Sequence, residues 1–218
     1  MLVSVALSYM RMFPSFLTAR APFECNATAD IGFIVDSAGV TESEFSQQKQ
    51  FVKSIADAFG SSSTRSRFGV MTSDKPSEKM MKLTDHATAN DFKKSVDKLK
   101  TPQPDSIQMD KALKRAYKEL LNPVNGARLD SPKVLVILSA AEKFGSVNTA
   151  SLGKALGPLH EDGTKIIVVA VGRGSNNPHL RSLAREPSDV YVVKTFDDLV
   201  AEALKSKISN SACKSTGS

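Results

Sequence analysis

The residue best placed to do chemistry is Asp36, which closes the apolar run Ile31-Gly32-Phe33-Ile34-Val35. A carboxylate at a strand end can accept a phosphoryl group or ligate a hard divalent cation, and either use wants a second oxygen-rich group nearby. Asp30 stands at the other end of the same run. After a second apolar run, Lys133–Leu138, the chain reads Ser139-Ala140-Ala141, which supplies a hydroxyl but no carboxylate. No histidine is placed to activate Ser139: His86, His160 and His179 fall in different loops or helix ends and read as surface residues. No Gly-x-Ser-x-Gly or Cys–His arrangement suggests a covalent catalyst. Gly172-Arg173-Gly174-Ser175 lacks the third glycine and the downstream acid of a dinucleotide cradle, so it reads as a turn into a short helix. These residues point to a binding module and not to an enzyme.

The chain holds two cysteines, Cys25 and Cys213, neither in a C-x-x-C pair nor beside a histidine. Both lie in polar stretches near the ends, where a buried apolar cysteine is not expected. They read as a disulfide, with two spare buried thiols as the alternative. Such a bridge needs an oxidising compartment, and in the chain-entropy model a loop so long contributes roughly 4–5 kcal/mol. Asn26-Ala27-Thr28 is an N-x-T sequon, with Asn26 the expected glycan acceptor. Residues 1–21 have the shape of a secretory leader: apolar Leu2–Met10, Arg11, apolar Met12–Leu17, then the small-x-small triplet Ala19-Arg20-Ala21. It is an imperfect one, without a basic start and with Pro22 just after the cut. Its removal takes Arg11 and Arg20, leaving 27 basic against 23 acidic residues, a net +4 where the whole chain carries +6. No other stretch reaches the roughly 20 apolar residues that cross a bilayer, so membrane insertion is not expected.

The elements that must position Asp36 follow from periodicity. Phe45, Phe51, Val52, Ile55, Ala56 and Phe59 recur at helical spacing after the first strand. Phe68–Met71 is a second strand and Lys79–Leu83 a short edge strand. Phe92, Val96 and Leu99 mark a helix that ends at Thr101-Pro102-Gln103-Pro104. Met109, Ala112, Leu113, Ala116, Leu120 and Leu121 mark another. Lys133–Leu138 and Ile166–Val171 are apolar on both faces, as central parallel strands are. Between them Leu152, Ala155, Leu156 and Leu159 form a helix. A short helix follows Pro178, Val190–Val193 is the last strand, and Phe196–Ile208 a closing helix. This alternation implies one α/β domain: a doubly wound, mostly parallel six-stranded sheet with helices on both faces. Residues 29–208 form that domain, between a tail at 22–28 and another at 209–218. At 24% charged residues, with lysines spread through helices and no aromatic-basic surface, nucleic acid is a poor partner.

In their order and spacing these residues resemble the von Willebrand factor type A domains of matrix proteins, collagens and integrins. The resemblance is carried by Asp30-Ile31-Gly32-Phe33-Ile34-Val35-Asp36-Ser37, Phe45–Phe59, Arg67–Asp74, Ala112-Leu113, Pro132–Leu138, Gly163–Gly172 and Leu180–Phe196. It looks closest to matrix members, and flanking cysteines also resemble that group. The resemblance implies a Mg²⁺ or Mn²⁺ site at the carboxyl ends of the strands, built from D-x-S-x-S, a threonine of a second loop and an aspartate after the central strand. Only Asp36 matches. Ala38 and Val40 stand at the serine positions, Ile107 near the threonine and Ala140 at the aspartate, leaving Ser37 or Ser106 as adjacent hydroxyls. An octahedral cation cannot be held by one carboxylate and a hydroxyl. No resident metal or cofactor is therefore expected, and Asp36 should hydrogen-bond loop amides or stay solvated.

The implied function is a secreted protein-binding or assembly module of the extracellular matrix that needs no metal. Its partners would be matrix proteins such as collagen, or acidic matrix polymers. The competing readings are a metal-dependent adhesion domain and a basic-surface binder of acidic glycans or proteins, the latter through Lys93, Lys94, Lys98, Lys100, Lys111, Lys114, Arg115 and Lys118. An enzymatic α/β domain of similar outline is a further class, which the missing catalytic constellations disfavour. The cysteine reading has a direct check: intact-mass analysis of secreted protein, alkylated before and after reduction, should show two thiols only after reduction. Two free thiols beforehand would refute the bridge.

Overall fold

The structure, a computed structural model, describes residues 28–36, 39–59, 66–73, 80–100, 108–144 and 147–214. The expected six-stranded sheet is present: β1 (Asp30–Asp36), β2 (Arg67–Thr72), β3 (Met80–Met81), β4 (Lys133–Ser139), β5 (Lys165–Val171) and β6 (Val190–Val193) lie in the order β3-β2-β1-β4-β5-β6. Only the β2–β3 pair is antiparallel. The order reverses between β1 and β4, where open α/β sheets leave a crevice at the carboxyl ends of the strands.

Alternation along β1 sends Phe33 and Val35 to one face and Ile34 to the other, so the sheet has two cores. The first core is covered by α1 (Glu42–Ala58), α2 (Ala89–Asp97) and α6 (Glu202–Lys214), with Phe45, Phe51 and Phe92 fully enclosed. The second is covered by α3 (Met109–Arg115), α4 (Thr149–Glu161) and α5 (Pro178–Arg181). The start of α1 is set by a capping box. The Thr41 hydroxyl accepts the Glu44 amide at 3.2 Å, and the Glu44 carboxylate accepts the Thr41 amide at 2.7 Å.

Two elements differ from the sequence reading. The helix read through Leu121 is α-helical only to Arg115 and widens into a π turn over Ala116–Leu120, closed by Leu121 N–H donating to the Ala116 carbonyl at 2.8 Å. The extra residue lets the adjacent Leu120 and Leu121 both reach the sheet. They settle over Gly32 and Gly69, register partners on β1 and β2 whose missing side chains leave the slot. The closing helix begins later than Phe196 and runs past Ile208. Asp197–Val200 is a 3₁₀ turn, Ala201 is extended, and α6 continues to Lys214 because Ala212 is buried on the first core.

The slot generates a prediction. A methyl at Gly69 would lie 2.5 Å from Leu120 Cδ1 and 2.8 Å from the Met81 carbonyl oxygen, a backbone atom that cannot rotate away. Gly69→Ala should therefore lower unfolding free energy by about 1–3 kcal/mol, the usual range for overpacking. Gly153→Ala, on α4 with nothing within 4 Å, should raise it by about 0.5–1 kcal/mol from helix propensity. Urea denaturation compares the two, and an unchanged midpoint for Gly69→Ala would refute the slot.

Candidate functional site

The crevice between β1 and β4 is closed by hydroxyls. Asp36 and Ser139 are register partners at the ends of these strands, and both are fully buried. The Ser139 hydroxyl donates to Asp36 Oδ2 and accepts the Ala141 amide at 3.2 Å. From the end of β2, the Ser73 hydroxyl donates to Asp36 Oδ1 at 2.9 Å. Gln48 of α1 donates Nε2 to the Asp36 carbonyl at 3.0 Å, tying the first helix to the same point. The turn after β4 is held from the other side. Asn177 Nδ2 donates to the Ala141 carbonyl at 3.0 Å, and Gly174 packs so closely that a Cβ there would stand 2.6 Å from the Ser139 carbonyl oxygen.

Of the two outcomes expected for Asp36, hydrogen bonding to loop amides or solvation, burial excludes the second. Side-chain hydroxyls of two neighbouring strands receive its oxygens. Ser73 and Ser139 were not read as its partners, although each directly follows or ends an apolar strand and the parallel register alone would bring them beside it. Ser37, Ala38, Ser106 and Ile107 lie outside the described residues. Val40 packs against the first core, and Ala140 is buried. Among the described residues no group of three His, Cys, Asp or Glu could hold a metal ion. A divalent cation implied by the family would find both Asp36 oxygens engaged by hydroxyls and no side-chain oxygen on Ala140. These residues do not fit it.

Beside this point a groove of about 460 Å³ opens over the ends of β4, β5 and β6, lined by Ala140, Gly172, Arg173 and Lys194 and by Glu44, Gln47 and Asp197 at its rim. Arg173, which the sequence reading placed in a turn, extends across the top and donates Nη2 to the Gly39 carbonyl at 2.6 Å. That turn is a 3₁₀ segment, Gly172–Asn176, leading into α5.

At the opposite end of β1, Asp30 is equally buried but is met by a cation. Arg128 gives it Nε at 2.9 Å, Nη2 at 2.6 Å and its own backbone amide at 2.5 Å. The histidines are spread as expected, but His86 and His160 are half-buried where surface residues were read. Each has one ring nitrogen enclosed without a hydrogen-bond partner. Burial lowers the pKa of both, against the pull of Asp85 and Asp91 at His86 and aided by Arg185 at His160.

The lysines do not gather into one patch. Those of α2 lie over the first core and those of α3 over the second, on opposite faces of the sheet. Lys93 pairs with Asp57, Lys94 with Asp91 and Lys114 with Asp110. Cys213 stands on α6, packed against the first core, while Cys25 and Asn26 lie outside the described residues.

With this geometry in view, the comparisons with known proteins agree. The model of the von Willebrand factor type A domain matches residues 30–205. Mouse integrin alpha-M is 27% identical over 201 residues, which is 83% of this chain and 16% of that protein. The mouse collagen alpha-4(VI) chain is 27% identical over 194 residues, covering 86% of this chain and 8% of that one. The chain thus spans under a fifth of these relatives. Among solved structures, proximal thread matrix protein 1 from the mussel byssus superposes with a TM-score of 0.77 at 21% identity, over 87% of this chain and 48% of that one. Another structure of that protein, described as having a zinc-occupied MIDAS motif, gives 0.73 at 23% identity, over 88% and 47% of the respective chains. At these identities the structures speak for the fold.

The hydroxyl pair on Asp36 can be tested by deletion. Removing one donor leaves a buried carboxylate short of a hydrogen bond, so Ser139→Ala should cost about 1.5–3 kcal/mol in urea unfolding. Ser73→Ala should cost a similar amount, and the double variant should deviate from the sum because both act on one group. Wild-type stability in both single variants would refute the assignment.

Proposed function

The chain belongs to the von Willebrand factor type A domain family, and from that premise we propose that it is a secreted protein-binding or assembly module of the extracellular matrix that works without a divalent cation. The observation that carries the metal independence is the occupation of both Asp36 oxygens by Ser73 and Ser139, beside an Ala140 with no oxygen to offer. A cation would meet a carboxylate whose two oxygens already accept hydroxyls, and it would find no second side-chain oxygen at Ala140. The matrix setting draws on the relatives, which include a collagen VI chain and a byssus matrix protein. Partners of the same kind, collagen-like proteins or acidic matrix polymers, suit a binding domain with no catalytic constellation. Secretion is the matching compartment, and in it Asn26 carries a glycan and Cys25 pairs with Cys213. What supports that pairing is that the chain holds just these two cysteines, with Cys213 on α6 beside the first core. Against the basic-surface reading stands the division of the lysines between two faces.

The metal-dependent adhesion reading keeps one point in its favour, the retained Asp36, and the decisive measurement separates the two. Binding to components of a matrix extract should be the same in EDTA and in Mg²⁺. Calorimetry with Mg²⁺ or Mn²⁺ should show no association at sub-millimolar concentration. Micromolar Mg²⁺ binding that disappears in Asp36→Asn would overturn the proposal.

A further inference from the structure

Arg173 reaches farther than a turn residue needs to. It leaves the end of β5 and ends on the carbonyl of Gly39, in the loop after β1. Since β4 lies between β5 and β1, this bond joins the loops on either side of the carboxyl end of β4. Ala140, with its short side chain, is the residue just past that end. Gly39 meets the guanidinium with a left-handed backbone at φ +70°, and a Cβ there would lie 3.3 Å from Nη2. Glu44 is engaged in the capping box of α1, and Asp197 accepts from Gln47. No carboxylate among the described residues pairs with Arg173 or with Lys194 across the groove. The groove therefore holds two exposed cations whose acidic neighbours already have donors. Arg173 commits one of its five N–H groups to Gly39, and the rest of its planar fork suits a carboxylate.

We propose that Arg173, supported by Lys194, is the docking point for an acidic side chain of a protein partner, its guanidinium directly supplying the positive charge at this end of the sheet. The proposal rests on the metal-independent reading above. A Glu or Asp of the partner enters over Ala140 and Gly172 and receives N–H groups from the guanidinium. Lys194 adds a point charge from the next strand.

The test uses acetyl-glutamate amide and acetyl-glutamine amide as probes on isotope-labelled protein in EDTA. The glutamate probe should saturably shift the Arg173 Nε–H signal and the amides of Gly39, Ala140 and Gly172, and the glutamine probe should not. Arg173→Gln should weaken the glutamate probe at least tenfold, Arg173→Lys less, and Lys194→Gln severalfold. Circular dichroism should confirm that each variant is folded. Equal shifts with both probes, or undiminished shifts in Arg173→Gln, would overturn the site. Matrix binding that survives EDTA but ignores Arg173→Gln would refute this site alone. Matrix binding that requires Mg²⁺ would instead remove the reading on which it rests.

Discussion

A carboxylate with no solvent contact, at the carboxyl end of the central strand, is the constraint around which this sheet is arranged. Burying a charged group without compensation is costly enough that the protein must supply donors from whatever lies beside it. At Asp36 those neighbours are set by strand order. β2 and β4 flank β1, and a serine directly follows β2 while another ends β4. The two hydroxyls close on the carboxylate, Gln48 fixes its carbonyl, and the turn after β4 is pinned in turn by Asn177 and Gly174. The Asp36 carboxylate thereby joins β1, β2 and β4, while backbone carbonyls beside it tie in α1 and the loop after β5. The same strand carries a second buried carboxylate at its other end, solved by the opposite means: Asp30 Oδ1 accepts two guanidinium N–H groups of Arg128 and Oδ2 its backbone amide. Breaking such a pair from one side typically costs about 3–5 kcal/mol.

Much of the fold was legible because parallel central strands are apolar on both faces. Lys133–Leu138 and Ile166–Val171 could hardly be anything else, and the helical spacing of Phe45 through Phe59 placed α1. What was not legible depends on contacts between segments distant in sequence. The π turn at Ala116–Leu120 leaves no periodic mark, since its cause is the pair of glycines, Gly32 and Gly69, on two other strands. The end of α6 at Lys214 was missed because polar composition after Ile208 hides the buried Ala212.

The site shows the same division. Asp36 was found from its position, and the loss of oxygen at Ala140 from residue type. Ser73 and Ser139 were within reach of inference, because the register of a parallel sheet places strand ends side by side. Arg173 was not, since its bond to Gly39 depends on strand order and side-chain length together. Lysine spacing misled for a related reason. Two helices consecutive in sequence cover opposite faces of a doubly wound sheet, so residues that look clustered along the chain are separated by the full thickness of the molecule.

A top face organised by hydroxyls and a guanidinium differs physically from one organised by an ion. A bound cation can be removed, and its occupancy makes adhesion conditional on the medium. Hydrogen bonds from Ser73 and Ser139 form with the fold and persist as long as it does, so on the proposed metal-free reading the strand ends they hold would not answer to chelation. A guanidinium likewise stays charged across the accessible pH range. On the proposed reading, recognition here is permanently engaged, and its remaining sensitivity is to ionic strength. Arg173 and Lys194 are exposed, where salt at 0.1 M largely screens charge–charge attraction beyond about 10 Å. On that reading the domain suits an assembly that is built once and kept.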